Sequence, residues 1–387
     1  MTQMVTRTVP FARPWITDED RAAVQRVLEG HILTHGPECK AFEADFVAFM
    51  GGGHAVTVSS CMAALHLACL HFGFGPGDEV IVPSETHVAT VHAVEWVGAT
   101  PIFVDPEPAT GNLTAERIAA AITPRTKGII VVHFDGIPCD MPGIMDVASS
   151  RNIKVIEDCA LAVGGRWGGR HVGLFGDAGC FSFYPVKHIT TAEGGMFVSR
   201  YADVVSKVAI LRAFGVDRSH GERAKPGMYE VPSLGLNYRM SEMQAALGRT
   251  QLSRIDENLN RRRANFARLS AVCARPGLVD VLDAVDPACA NSHYCLAAVL
   301  RGPLAARRDD IARLLNEAGV GTSVYYPQPV PRMEYYQKKY GYTPGQYPTA
   351  EAISDASIAL PVGPHLDAAD VAYVADAFSR IVTEVGS

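Results

Sequence analysis

The chain has 387 residues, 48% of them hydrophobic and 20% charged, a composition that supports a large core and a length that suggests two domains in one subunit. A formal net charge of −6 with no block of Lys or Arg argues against a nucleic-acid footprint, and nine cysteines with no C-x-x-C pair argue against a disulfide framework and for reduced thiols. No window approaches the roughly eighteen apolar residues that span a bilayer, and Met1 to Arg13 carry no apolar leader, so no membrane contact and a cytoplasmic location are expected.

In chain order, Thr17-Asp-Glu-Asp opens a helix over 21–29 that Gly30 stops, and the Gly36-Pro37 turn leads into a second helix, Cys39 to Met50. The β-rich run beginning at Ala55 passes into a strong helix former at Cys61, with Ser59 and Ser60 at the junction. Such a strand-to-helix turn aims free N–H groups at a phosphate, although the serines could equally be plain helix caps. Asp78 to Pro83 reads as a strand, 88–97 as a helix and Pro101 to Asp105 as a strand. The alternation continues through Ile118–Ile122, Gly128–His133 and Ile144–Ser150, the pattern of a parallel sheet with crossover helices. His133 ends its strand as a packed or site-lining residue. With Asp135, Cys139 and Asp140 it fits no usual zinc spacing, so no metal is expected.

Val155-Ile156 is a short buried strand ending in Glu157-Asp158, and in open α/β sheets ligands sit outside such carboxyl ends. A carboxylate buried there needs a cationic partner, and a protonated pyridine nitrogen is one. Downstream, Phe181 to Gly195 puts Lys187 after an apolar run around the single small hydroxyl of Ser182, and before Thr190, Thr191, Gly194 and Gly195. Apolar neighbours lower an amine's pKa and free it for Schiff-base chemistry; the plain alternative is a surface lysine on a loop.

Beyond the lysine, Tyr201–Phe214 reads as a helix and Gly215–Tyr229 as an irregular functional or interface loop. Asn237-Tyr-Arg-Met-Ser-Glu starts a helix with Ser241 or Asn237 as cap. A charged helix, Gln251 to Leu269, presents Arg261-Arg-Arg263 as a solvated face between the domains. Strand Ser292–Leu300, helix Asp309–Ala318 and strand Gly321–Tyr326 suggest a smaller α/β domain closed by helix Asp367–Val382. The aromatic run Tyr325–Tyr347 reads as core packing or a pocket wall. Residues 1–255 are the expected large domain and 256–387 the small one.

Three blocks together, Glu157-Asp-Cys-Ala, Phe-Ser-Phe-x-x-x-Lys-x-Ile-Thr-Thr-x-Glu-Gly-Gly, and Gly235-x-Asn-Tyr-Arg-Met-Ser-Glu-x-Gln-Ala-Ala-Leu-Gly248, resemble the DegT-type sugar aminotransferases, fold-type I pyridoxal phosphate enzymes; the similarity runs from about Thr34 to about Pro364. The resemblance implies an α/β fold with a large, mostly parallel sheet flanked by helices and a smaller C-terminal α/β domain. It implies pyridoxal 5'-phosphate as cofactor, with pyridoxamine 5'-phosphate as its other form, Lys187 as the catalytic lysine and Asp158 beneath the ring nitrogen. It further implies phosphate contacts at Ser60, Cys61, Met62 and Ser182, a flat ring at His87, and Asn237 reaching across a homodimer into the other subunit's site. Thr34, His35 and Tyr325 become substrate contacts.

This chain departs from the family pattern where Cys61 and Met62 replace Gly and Thr, where Leu161 replaces a polar residue that touches the ring hydroxyl, and where Tyr325 replaces a frequent His. The expected activity is transfer of an amino group from L-glutamate or another amino acid to a keto sugar, most simply a nucleoside-diphosphate 4-keto-6-deoxy sugar. A cyclitol ketone, a sugar dehydratase reaction and a non-catalytic relative are the alternatives. Dehydratase relatives have His in place of the lysine, whereas here His188 only follows it.

Overall fold

The computed structural model describes residues 7–217 and 228–386. Most of the irregular segment expected from Gly215 to Tyr229 therefore lies outside the described residues. Short runs rich in Val and Ile form the strands of a seven-stranded sheet: β1 (His54–Val58), β2 (Glu79–Pro83), β3 (Thr100–Val104), β4 (Thr126–Val132), β5 (Lys154–Asp158), β8 (Ala178–Ser182) and β9 (Gly195–Ser199). Their order is β1-β9-β8-β5-β4-β2-β3, and every neighbouring pair is parallel except the two that β9 makes. Helices α1 (Asp18–Glu29), α2 (Pro37–Met50), α3 (Cys61–His71), α4 (Val88–Trp96), α5 (Ala115–Ala121), α6 (Met141–Ser149), α7 (Ala202–Leu211) and α8 (Glu242–Ser253) accompany this sheet.

Strand alternation sorts the side chains between the two faces. Ile130, Ile156 and Cys180 pack with α3 and α4, whereas Ile129, Val131 and Val155 join a core with α5 and α6 on the other face. Two residues along from Ile156, Asp158 lies on the α3 side, and Ser182 follows Cys180 there. Phe181 and Phe183 take the opposite side, against Phe46 and Phe42 of α2 with ring centroids 5.1 and 5.2 Å apart.

A second, antiparallel sheet of β10 (Val279–Val281), β12 (Leu296–Leu300) and β13 (Ser357–Leu360) packs with α9 (Ile255–Cys273), α10 (Arg308–Glu317) and α13 (Ala368–Gly386). The expected α/β architecture is thus the one observed. A small third sheet joins β11 (Cys289–Ala290) to the pair β6 (Arg166–Trp167) and β7 (Arg170–His171). The N-terminal segment belongs with the second sheet: Val9 bridges Val320 and is buried in that core.

Local expectations are corrected at four places, and one open choice, the cap of α8, is settled. The helix expected from Gln251 to Leu269 is two helices broken at Arg254, whose φ of −108° and ψ of 10° are not helical. Arg262 is not on a solvated face: it is 5% exposed and donates to Asn258 Oδ1 at 2.8 Å and to the Tyr294 carbonyl at 2.8 Å. Ser241, not Asn237, caps α8, in a capping box with Gln244. Residues 292–295 precede rather than join β12, and the expected strand Gly321–Tyr326 makes only the bridge Ser323 to Ala359.

The aromatic run is largely packing. It contains α11 (Glu334–Tyr340) and leads into α12 (Pro348–Ala356), and buried Tyr336 stacks on His92 of α4. Three acidic side chains, after β2, in α4 and after β3, hold it. Glu95 accepts from Tyr335, Lys339 and Tyr340, Asp105 caps α12 through Thr349 and Ala350 N–H, and Glu85 accepts from Tyr326 N–H at 2.7 Å and pairs with the Ser354 hydroxyl at 2.6 Å.

Glu85 is fully buried, and desolvation lifts its pKa from 4.5 to about 8 against the pull of those hydrogen bonds. A carboxyl whose folded pKa is raised stabilises most below its unfolded value and loses that contribution as pH rises through the folded one. The urea midpoint of the wild type relative to Glu85→Gln is therefore expected to fall as pH rises from about 4.5 through about 8. A pH-independent difference between the two proteins would show that Glu85 does not titrate in this range.

Candidate active site

Asp158 ends β5 and is 4% exposed. Its Oδ2 accepts from the Thr90 hydroxyl at 2.8 Å, and its Oδ1 accepts from Ala160 N–H at 3.0 Å and faces the Cys61 thiol at 3.7 Å. Among the described residues no Lys, Arg or His forms a salt bridge with it, so the hydrogen bonds of this buried carboxylate come from neutral donors. Burial lifts the Cys61 pKa, so the thiol keeps its proton and acts as a donor.

Glu157, its neighbour in sequence, points through the sheet to the other face. There it accepts from Gly173, Phe175 and Gly176 N–H at 2.6 to 2.8 Å and meets His133 Nε2 at 3.2 Å. His133, Glu157 and Cys159 bring ligand atoms within 4.8 Å of one another, but the backbone amides already engage both Glu157 oxygens. This is a packed polar cluster that holds the strand end, and His133 is fully buried in it.

Lys187 rides on the hairpin between β8 and β9. The hairpin is closed by Phe183 N–H to the Gly194 carbonyl and Thr191 N–H to the Phe183 carbonyl, each at 2.9 Å. Asn258 of α9 donates to the His188 carbonyl and Gln244 of α8 to the Glu193 carbonyl, so the loop is braced from outside as well. The half-buried amine lies 4.8 Å from the Tyr294 ring centroid. Desolvation lowers its pKa from 10.5 to about 8, against the opposing pull of the Asp158 carboxylate. Roughly one amine in ten is then neutral at pH 7, far more than for a solvated lysine.

Ser60 caps α3, its hydroxyl accepting from Ala63 N–H at 3.1 Å, so the hydroxyl proton stays available. The leading amides of α3, at Cys61 and Met62, have no intrahelical acceptor. β9 starts directly against them: a Cβ on Gly195 would lie 2.5 Å from the Ser60 carbonyl carbon and 2.7 Å from Cys61 N. Only glycine permits that approach. Ser182 pairs with Gly195 across the hairpin, and its hydroxyl accepts weakly from Tyr184 N–H at 3.4 Å. His87 caps α4 through Nδ1, 5.7 Å from the Tyr326 ring, and it feels the charges of both Asp158 and Lys187.

Leu161 is buried with Tyr294, Cys295, Tyr325 and Phe11. Tyr325 meets the Tyr294 hydroxyl at 2.8 Å, so the wall above Lys187 is a pair of linked phenols. Thr34, His35 and Asn237 are elsewhere, all exposed: Arg239 donates to Asn237 Oδ1 at 2.9 Å and meets His35 Nε2 at 2.7 Å. Between Asn237 and Arg239, the Tyr238 carbonyl accepts from Ser59 N–H at 2.8 Å, which sets this polar chain beside the start of α3.

The fold therefore gathers Ser60, Cys61, Met62, His87, Asp158, Leu161, Ser182, Lys187 and Tyr325 around one centre and leaves Thr34, His35 and Asn237 on an adjoining surface. Sequence reasoning missed Thr90, Tyr294 and Tyr326. The signal for Thr90 was its place three residues after His87, on one face of the same helix turn.

The model of the DegT/DnrJ/EryC1/StrS aminotransferase family matches residues 14–379. The chain belongs to this family. Among curated relatives, the spore coat polysaccharide biosynthesis protein SpsC of Bacillus subtilis (strain 168) is 36% identical over 386 residues, 99% of this chain and 99% of that one. Among solved structures, the aminotransferase from Psychrobacter cryohalolentis is 33% identical with a TM-score of 0.92, covering 98% of this chain and 100% of that one. Spr1654 of Streptococcus pneumoniae, solved in PMP and PLP forms, is 28% and 29% identical with TM-scores of 0.92 and 0.91, covering 98% of this chain and 100% of each. Membership in the DegT family makes the protein an aminotransferase.

The residues present fit pyridoxal phosphate: a buried carboxylate without a cation, a helix start that glycine leaves open, and an amine kept partly neutral. With the chain free of cofactor, the rate of acetylation at Lys187 is expected to rise with pH to a midpoint near 8. Peptide mass spectrometry reads this directly, and a midpoint near 10.5 would show an ordinary solvated lysine.

Proposed function

We propose that the protein is a pyridoxal phosphate-dependent aminotransferase that moves an amino group from L-glutamate, or another amino acid, to a keto sugar, most simply a nucleoside-diphosphate 4-keto-6-deoxy sugar. The observation that carries the reading is a Lys187 amine that feels the charge of a buried Asp158 carboxylate, which forms no salt bridge among the described residues. The polysaccharide role in the name of SpsC supports a sugar acceptor, and the PLP and PMP forms of Spr1654 support the cofactor.

When bound, pyridoxal phosphate supplies the electron sink that lets an amino group pass between an amine and a ketone. Asp158 would keep the ring nitrogen protonated, while the first amides of α3 with the Ser60 and Ser182 hydroxyls would hold the phosphate. His87 would cover the ring. Lys187 carries the proton at the substrate carbon, a task suited to a group that titrates near working pH. Leu161 offers no hydrogen bond to the ring hydroxyl, and the Tyr294–Tyr325 pair lines the substrate side.

The same reading makes the enzyme a cytoplasmic homodimer in which Asn237 completes the partner's site, with residues up to about 255 forming the cofactor-binding domain and the remainder the small one. Exposed Leu33, Phe214, Val231 and Leu234 near Asn237 and Arg239 in sequence or contact supply the apolar area that a second copy would cover. No helix among the described residues is long and apolar enough to cross a membrane.

Borohydride treatment after addition of pyridoxal phosphate should leave the cofactor mass on Lys187, and L-glutamate should bleach the visible band before reduction. A band that no common amino donor bleaches would sink the transaminase reading. Lys187→Ala should lower turnover at least about a hundredfold, the smallest usual effect of losing a proton-transferring group. Native mass spectrometry of that variant with a nucleoside-diphosphate keto sugar or a cyclitol ketone then identifies the acceptor class it retains. Mixing inactive Lys187→Ala with inactive Asn237→Ala should restore activity if sites are shared, and no recovery would mean that each chain acts alone.

A further inference from the structure

The first turn of α4 carries a polar chain that the proposed mechanism does not use. Thr90, fully buried, donates to Asp158 Oδ2 at 2.8 Å, and its own oxygen lies 2.8 Å from the hydroxyl of Thr86, also buried. An ionised carboxylate has no proton to give, and a threonine hydroxyl has one. Once that proton is spent on Asp158, Thr86 must be the donor in the Thr86–Thr90 bond. The hydrogens of both hydroxyls therefore run toward the carboxylate, an arrangement in which each bond polarises the next.

Position on the helix makes this more than a pair of satisfied threonines. His87 caps α4 and Thr90 follows it at i+3, on the same helix face. The turn that presents His87 to the site thus also grips Asp158, on the oxygen opposite the one that Ala160 N–H and the Cys61 thiol engage. With both oxygens tied, the carboxylate cannot turn.

We infer that Thr90, backed by Thr86, is a positioning residue that fixes the orientation and negative charge of Asp158 toward the pyridine nitrogen of the cofactor. The inference rests on the reading above that Asp158 faces that nitrogen. Losing the hydroxyl in Thr90→Val, which keeps the shape, leaves Asp158 Oδ2 without a protein donor, so the isolated charge is held less well and less rigidly. The ring nitrogen then loses part of its partner, while the phosphate contacts at α3 and the amine of Lys187 are untouched.

The test compares two ligands on the full-length protein freed of cofactor: pyridoxal phosphate, and its carbocyclic analogue with the ring nitrogen replaced by carbon. Wild type should prefer pyridoxal phosphate. Thr90→Val should weaken pyridoxal phosphate binding about tenfold or more, the usual scale for one charge-assisted hydrogen bond, with the analogue's affinity unchanged. Thr90→Ser should restore the preference, and Thr86→Val should reduce it by a smaller factor. Equal weakening of both ligands by Thr90→Val, or a preference that survives it, overturns the inference. A wild type that binds both ligands alike overturns instead the placement of Asp158 at the ring nitrogen. If circular dichroism shows Thr90→Val unfolded, Thr86→Val decides by the same comparison, and an unchanged preference there counts against the inference.

Discussion

A negative charge kept out of water at the end of a central strand, with no salt-bridge partner among the described residues, is the constraint around which this molecule is arranged. Burying a lone carboxylate is costly unless it is hydrogen-bonded and paired. Asp158 obtains the hydrogen bonds from a hydroxyl, an amide and a thiol, and the proposed function leaves its counter-charge to the cofactor. The neighbouring Glu157 meets the same problem and solves it internally, with three amides and a histidine. One strand thus ends in two carboxylates of opposite purpose, divided by the pleat.

Much of this was legible because it is local. A Val-Ile strand ending in acid, a lysine after an aromatic run and a serine at a strand-to-helix junction are patterns a few residues long, and Asp158, Lys187 and Ser60 stand where those patterns put them. What was not legible depends on distant partners. Arg261-Arg-Arg263 reads as a solvated run, and only the Asn258 amide and the Tyr294 carbonyl show why Arg262 turns inward. Thr90 is an unremarked hydroxyl until the strand carrying Asp158 is folded against its helix. Gly321–Tyr326 has β-forming residues but finds a partner only at Ser323, and pairing, not propensity, makes a strand.

The floor and the wall of the site come from different parts of the chain. The floor, from Ser60 to Lys187, belongs to the large sheet. The wall, with Tyr294, Tyr325 and Tyr326, comes from the segments around the second sheet and is tied back through Glu85, Asp105 and Glu95. A change at Tyr325 therefore alters the wall without disturbing the strand ends beneath it. Leu161 is one point of contact between the two, a floor residue whose side chain packs into the wall.

The hairpin that carries Lys187 is fastened at both ends: Ser182 is paired to Gly195, and Gly195 is pressed against the first peptide of α3. Its length is therefore a measurement. One inserted residue would displace the amine by up to about 3.8 Å, the spacing of consecutive Cα atoms, more than a hydrogen bond can follow. Between Ser182 and Gly195 the number of residues is itself part of the proposed site.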